Sequence, residues 1–395
     1  MKNKEKLTDL LNHNSLLVKK FALKELVKLE KTNQELVPAV KEIAPLHFSS
    51  FKSYSLYSPT MCAYIGYRSG AFAVGICDYA TLSYSQEFKK ACNILKIPYA
   101  CGYRVDGNAI FDGEDKTVLY GLGIPVEFEP YYTELFKKVN DKKIIATLAL
   151  IDKINADLQG QGITVDVKEL KKEAKKQKTI FTEKHVAKNL AENIVNTFGK
   201  GKGLLEFIDK YMGIVSCEGE TRFLHESENM YFTEDLAKVI YNNYLKPKLS
   251  KEDNDLKEFI RLNEELGVIS SCGIEIKKYD EEELTKIIKV LRKNGFNSVT
   301  IRNKLLTEEE YLKIVNFFSE NEMLAISMYS VGLPRQHVPT SSLDVDFKSS
   351  LAIIGNSVSI AYDKKDGLFT NRTISKCPNF EKRLVLFSNI GKRER

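Results

Sequence analysis

The sequence predicts an α/β chain built on a parallel sheet or a (β/α) barrel, and three observations carry that reading. From about residue 42, short apolar runs alternate with amphipathic helical stretches. A long, charged, helical middle interrupts the alternation, which then resumes. The chain has 395 residues, 43% hydrophobic and 28% charged, which suits two or three globular domains or one large barrel with insertions.

Residues 1–41 read as an N-terminal helical extension, because Leu7, Leu10, Leu11, Leu17, Val18, Phe21, Leu26 and Leu29 recur at helical spacing. Residues 42–128 form the first part of the α/β region. Its strands are expected at Ala44-to-Ser50, Phe72-to-Asp78, Tyr99-to-Val105 and Val118-to-Val126. Ser58 followed by Pro59 marks a capped helix start, and Ser85-to-Leu95 is a second helix. Residues 129–246 are a helical insertion, whose Lys-rich stretch from Lys168 to Lys178 reads as a solvated helix face. Residues 247–340 resume the alternation. Helices are expected at Asn254-to-Leu266, Glu281-to-Asn294 and Thr307-to-Glu320, and strands at Gly267-to-Ile276, Ser298-to-Arg302 and Met323-to-Tyr329. In the C-terminal segment, 341–395, two further strands are expected at Ser357-to-Tyr362 and Leu384-to-Ser388.

Charge and cysteine content exclude several functions. A net charge of +6, spread along the chain, is no electrostatic footprint for nucleic acid. The seven cysteines include no Cys-x-x-Cys pair, and most lie in apolar runs. No long apolar span and no signal-peptide core is visible, so the expectation is a cytoplasmic protein that contacts neither membrane nor nucleic acid.

In a parallel α/β fold the functional groups gather where strands end. Those ends carry His47-Phe48-Ser49, Asp78-Tyr79-Ala80-Thr81, Gly102-Tyr103-Arg104 and Tyr329-Ser330, the last just before Pro334-Arg335-Gln336. His47 and Ser49, two apart on a strand, share a face. With Tyr57-Ser58-Pro59-Thr60, Thr182-Glu183-Lys184-His185 and Phe198-Gly199-Lys200-Gly201, this ordered set resembles the polymerase-and-histidinol-phosphatase (PHP) family. It is most similar to a longer subgroup with a helical N-terminal extension and insertion, over roughly residues 10–340.

The resemblance implies a distorted (β/α)7 TIM-like barrel, and an ancestral site of two or three divalent metals at its C-terminal mouth. It also implies that most ligands are replaced here. Ser49 stands for a His, Tyr79 for another, Gly102 or Tyr103 for a Glu, and Ser330 for an Asp. His47 and Asp78 remain as candidate metal ligands for at most one weak ion. The whole chain holds five histidines, so a His-rich cluster cannot be assembled from it.

The candidate pocket therefore comprises His47, Ser49, Asp78, Tyr79, Arg104, His185, Ser330 and Arg335. Arg104 and Arg335 either recognise an anion or fill the vacated metal volume and pair with Asp78. The resulting reading is a non-catalytic binder of a small anionic, phosphate-bearing ligand or of a partner, with no cofactor. The alternative is an active phosphoric ester hydrolase with a single Mn, Fe or Zn. A metal-free hydrolase with Cys101 as nucleophile and His185 as base is a third arrangement.

Overall fold

The computed structural model describes residues 2–32, 57–176, 182–215, 224–225, 229, 231–249, 253–276, 280–301, 306–327 and 344–393. Helices α1 (Lys2–Leu10), α2 (Leu16–Thr32) and α3 (Pro59–Arg68) precede β1 (Val74–Tyr79), α4 (Ser85–Leu95), β2 (Tyr99–Gly107) and β3 (Thr117–Leu122). Five helices follow: α5 (Glu129–Asp157), α6 (Val167–Lys176), α7 (Glu183–Phe198), α8 (Lys202–Met212) and α9 (Phe232–Ile240). Next come α10 (Leu256–Leu266), β4 (Ile269–Ile274), α11 (Glu281–Lys293), β5 (Ser298–Ile301), α12 (Glu308–Glu320) and β6 (Leu324–Ser327). The chain ends on α13 (Asp344–Tyr362), α14 (Asn371–Lys376) and α15 (Phe380–Arg393). No helix among the described residues is long and apolar enough to cross a membrane.

Local chemistry sets the helix starts. Ser58 Oγ accepts from the Met61 amide at 3.1 Å while Pro59 fills the first helical position of α3. Thr307 and Glu310 form a reciprocal capping box at α12, with amide-to-side-chain distances of 2.8 and 3.2 Å.

The six strands form one curled sheet in the order β1-β2-β3-β4-β5-β6. β1 pairs β2 in parallel, as do β4 with β5 and β5 with β6. β3 runs antiparallel to both neighbours, which corrects an all-parallel reading. The cause is the short link 108–116, with Gly113 at φ +81°: a parallel return needs about a dozen residues or more, so this link can only make a hairpin. The strand expected at Ala44-to-Ser50 lies outside the described residues, which hold six strands against the seven that the family resemblance implies.

Side chains alternate across the sheet, so the register defines its two faces. One face carries Cys77, Ala100, Val118, Tyr120, Leu122, Ile269, Leu324 and Ile326, and packs on Leu351, Ile353 and Ile354 of α13 and Phe387 of α15. The other carries Val74, Ile76 and Cys101, buried under α1–α4. Tyr103 on that second face meets Tyr132, Phe136 and Phe259, with ring centroids 5.2, 5.2 and 5.5 Å away.

The C-terminal segment corrects the reading of two further strands. Ser357–Tyr362 lies inside α13 and Leu384–Ser388 inside α15. The β-branched and aromatic residues there suit a strand by propensity, but α13 and α15 pack closely through glycines and bury Ile360, Leu384 and Phe387. A Cβ on Gly355 would strike the Phe387 carbonyl, and one on Gly391 the Leu351 carbonyl.

The chain divides into two compact units. One is helical, spans Lys138–Lys251, and has its own core of Leu150, Ile151, Ile154, Leu190, Ile194, Leu236 and Ile240. The other holds the sheet.

Candidate functional site

β1 ends in Asp78 and Tyr79, and the chain then turns sharply at Ala80, whose φ is +45°. The register aligns Asp78 with Tyr103 and Tyr79 with Arg104. Tyr79 and Arg104 therefore share the sheet face on which α13 packs, while Asp78, buried, lies on the Tyr103 face. The register thus brings Tyr79 and Arg104 together and separates Asp78 from them. His47, Ser49, Ser330 and Arg335 lie outside the described residues.

Arg104, which one reading of the sequence pairs with Asp78, forks onto Asp106. Its Nε and Nη2 both donate to the carboxylate of Asp106, each at 2.7 Å, in a bidentate fork. Asp106 stands two residues further along the same strand, on the same face, and is buried. Lys116 Nζ, from the far side of the β2–β3 hairpin, donates to the second oxygen of the same carboxylate. Burial alone would raise the Asp106 pKa. The two cations outweigh it and hold the carboxyl well below the usual range, so Asp106 is ionised throughout the neutral region. Two cations thus converge on one carboxylate at the C-terminal end of β2. The sequence reading named Arg104 but missed Asp106 and Lys116. The signal was present, since the i, i+2 argument applied to His47 and Ser49 holds equally for Arg104 and Asp106.

The same face carries hydroxyls further along. Ser298 Oγ lies 3.0 Å from Ser271 Oγ, which lies 2.8 Å from Thr300 Oγ1, all three buried. Between them and Arg104 stands Tyr120, opposite Arg104 on β3 and Ser271 on β4. Its ring leans over Gly273, where an added Cβ would come within 3.0 Å of Cε2. The hydroxyls satisfy one another and stiffen the wall of the site, and their burial keeps them from direct ligand contact.

Tyr103, one of the two residues placed where the family's ligating Glu falls, is committed to packing. Its hydroxyl donates to Asn263 Oδ1 at 3.0 Å, and burial pushes its pKa far up, so it is no phenolate ligand. Cys101 is buried, and burial pushes its thiol up to about 12, which leaves almost no thiolate at neutral pH. His185, in the helical unit, serves as a cap for α7. Its Nδ1 accepts the Thr182 amide at 3.0 Å and completes a reciprocal capping box.

Among the described residues no three His, Cys, Asp or Glu side chains come together in a way that could hold a metal ion. Asp78 is the single carboxylate at the mapped ligand positions there, and a guanidinium occupies the neighbouring strand. A centre of two or three divalent ions needs several anionic ligands to balance its charge, and at the mapped positions the described residues supply one. A cavity of about 440 Å³ lies elsewhere, at the N-terminal side of β6 between α12, α13 and α15.

The described strands form a curled, mixed, six-stranded sheet with flanking helices, compatible with a distorted α/β barrel. No family model matches the chain, and no curated protein matches it. Two solved structures are similar to it. An amidohydrolase from Chromobacterium violaceum, with bound sulfate and no metal, has 15% sequence identity and a TM-score of 0.50, covering 75% of this chain and 90% of its own. A protein described as a metal-dependent phosphoesterase from Bifidobacterium adolescentis has 11% identity and a TM-score of 0.50, covering 78% of this chain and 95% of its own. At these identities the likeness is one of fold.

Proposed function

We propose that the chain is a PHP-like barrel that binds a small phosphate-bearing ligand at the C-terminal end of its strands without hydrolysing it. One observation carries this reading. Arg104 and Lys116 converge on the single carboxylate of Asp106, on the sheet face that also carries Tyr79. That arrangement suits an anion and repels a second or third metal ion. The anion that the phosphoesterase-like fold would present there is a phosphate, and a phosphomonoester of low mass is the ligand class that follows. Arg335, Ser330, His47 and Ser49 complete the pocket in this proposal, with no nucleic acid and no metal cofactor involved.

Calorimetric titration with inorganic phosphate and with a small sugar phosphate tests it. The expected result is saturable binding that Lys116→Ala weakens about tenfold, equivalent to about 1.4 kcal/mol. Equal affinity in wild type and Lys116→Ala would sink the reading.

A second reading is favoured by Asp78, a carboxylate buried at the end of β1. In it the protein is an active phosphomonoesterase, with His47 and Asp78 holding one Mn, Fe or Zn. Elemental analysis of protein purified without chelator, combined with turnover of an aryl phosphate, separates the two. Stoichiometric metal together with turnover lost in His47→Ala would establish the enzyme and displace the binder.

A further inference from the structure

We propose that the protein associates with itself head to tail, the exposed face of α2 in one copy docking into the groove between α12, β6, α13 and α15 of another. Neither surface belongs to the anion site. On α2, Leu17 is 78% exposed and Phe21 is 59% exposed, an unusual state for two large apolar side chains one helical turn apart. With Lys24 they fall at i, i+4 and i+7, the spacing by which an amphipathic helix inserts anchors into a groove. Lys20, between them in sequence, adds a second cation beside the stripe.

The groove has the complementary character. Its floor is apolar, made by Val315, Met323, Leu324 and Leu384, and its volume of about 440 Å³ admits two large side chains. Its rim carries three carboxylates, Glu320, Glu322 and Glu381, together with Lys348, and Arg383 of α15 pairs with Glu322 at 3.8 Å. Glu320 and Glu381 make no ion pair among the described residues. An apolar pair flanked by Lys20 and Lys24, with Glu25 beside them, thus faces an apolar floor flanked by Glu320 and Glu381, and charge complementarity of this kind favours the partner and its orientation.

The two surfaces are different patches, so the contact is heterologous: each copy offers a helix to one neighbour and a groove to another, and growth is limited only by whether the rotation closes. Two apolar anchors make a weak contact, of about 10–100 µM.

Sedimentation velocity of the full chain, over about 5–500 µM, tests this. The expected result is concentration-dependent growth in the wild type and a monomer throughout for Phe21→Glu. The double variant Glu320→Lys/Glu381→Lys should likewise be monomeric. Both variants alter exposed side chains, and circular dichroism confirms that each is folded. Mixing the two is the decisive arm. Phe21→Glu retains an intact groove and the double variant an intact helix, so the mixture should form a 1:1 dimer that grows no further. A monomeric wild type at the highest concentration would overturn the proposal. So would growth that survives Phe21→Glu, or a mixture that stays monomeric. Monomeric protein that instead binds vesicles of anionic phospholipid through Phe21 would overturn it in favour of a membrane surface.

Discussion

Asp106 shows how one carboxylate can organise a site. It is buried, yet Arg104 and Lys116 keep it ionised, and in return it fixes both cations in place. Replacing it with Asn leaves two cations facing each other with a neutral amide between them. Because both cations reach solvent, the expected cost is about 2 kcal/mol at pH 7 rather than the full penalty of a deeply buried pair. The pH dependence follows from the lowered pKa. A carboxyl depressed in the folded state contributes stability that is fully present above its unfolded value, about 3.9, and is lost as pH falls through the folded value. Urea unfolding from pH 7 to pH 2 should therefore show a constant gap between wild type and Asp106→Asn above about pH 5, narrowing below about pH 4. A gap that widens on acidification would contradict the assignment. The thiols give a second test at this scale. Cys377 is partly exposed, whereas burial pushes Cys77, Cys92 and Cys101 up, so a disulfide reagent should modify Cys377 well ahead of those three in the native protein.

At the scale of elements, periodicity and capping were readable where local chemistry decides the outcome. Ser58-Pro59 and Thr307-to-Glu310 start helices as their sequences require, because a cap satisfies amides within its own turn. Ser357–Tyr362 and Leu384–Ser388 were misread because their state depends on a partner far along the chain. Gly355 and Gly391 are ambiguous alone: in an isolated helix each costs about 1 kcal/mol relative to Ala. In the pair they let two backbones approach until a single methyl group would strike a carbonyl. Gly355→Ala should therefore destabilise the protein by about 2 kcal/mol despite its better helix propensity, since backbone cannot yield as a side-chain tip can. Gly203 in α8, with open space around its Cβ position, is the control: Gly203→Ala should leave the melting temperature unchanged or raise it. The reversal of β3 was equally present in the sequence, as a link too short to cross the sheet, but alternation alone does not count loop residues.

The molecule as a whole carries two cores, and each makes its own prediction. The helical unit closes on Leu190, Ile194, Leu236 and their neighbours, and the sheet unit on the faces that cover β1–β6. Separate cores favour separate cooperative transitions, so Leu190→Ala, which empties a fully buried site, should lower the helical transition by about 2–5 kcal/mol and leave the sheet transition in place. Ligand linkage then tests the proposed anion site. A ligand held by Arg104 and Lys116 stabilises only the unit that contains them, by about 2.7 kcal/mol at a hundred times its Kd. Phosphate should therefore raise the sheet transition alone, in wild type and in Leu190→Ala alike. The sequence placed His185 in the same pocket, and its role as the α7 cap offers a different account of why a His stands there. Calorimetric melting with and without phosphate separates these accounts. If the sheet transition does not rise, the Arg104–Lys116 cluster does not hold the ligand. If the sheet transition moves alone, the site belongs to the strands.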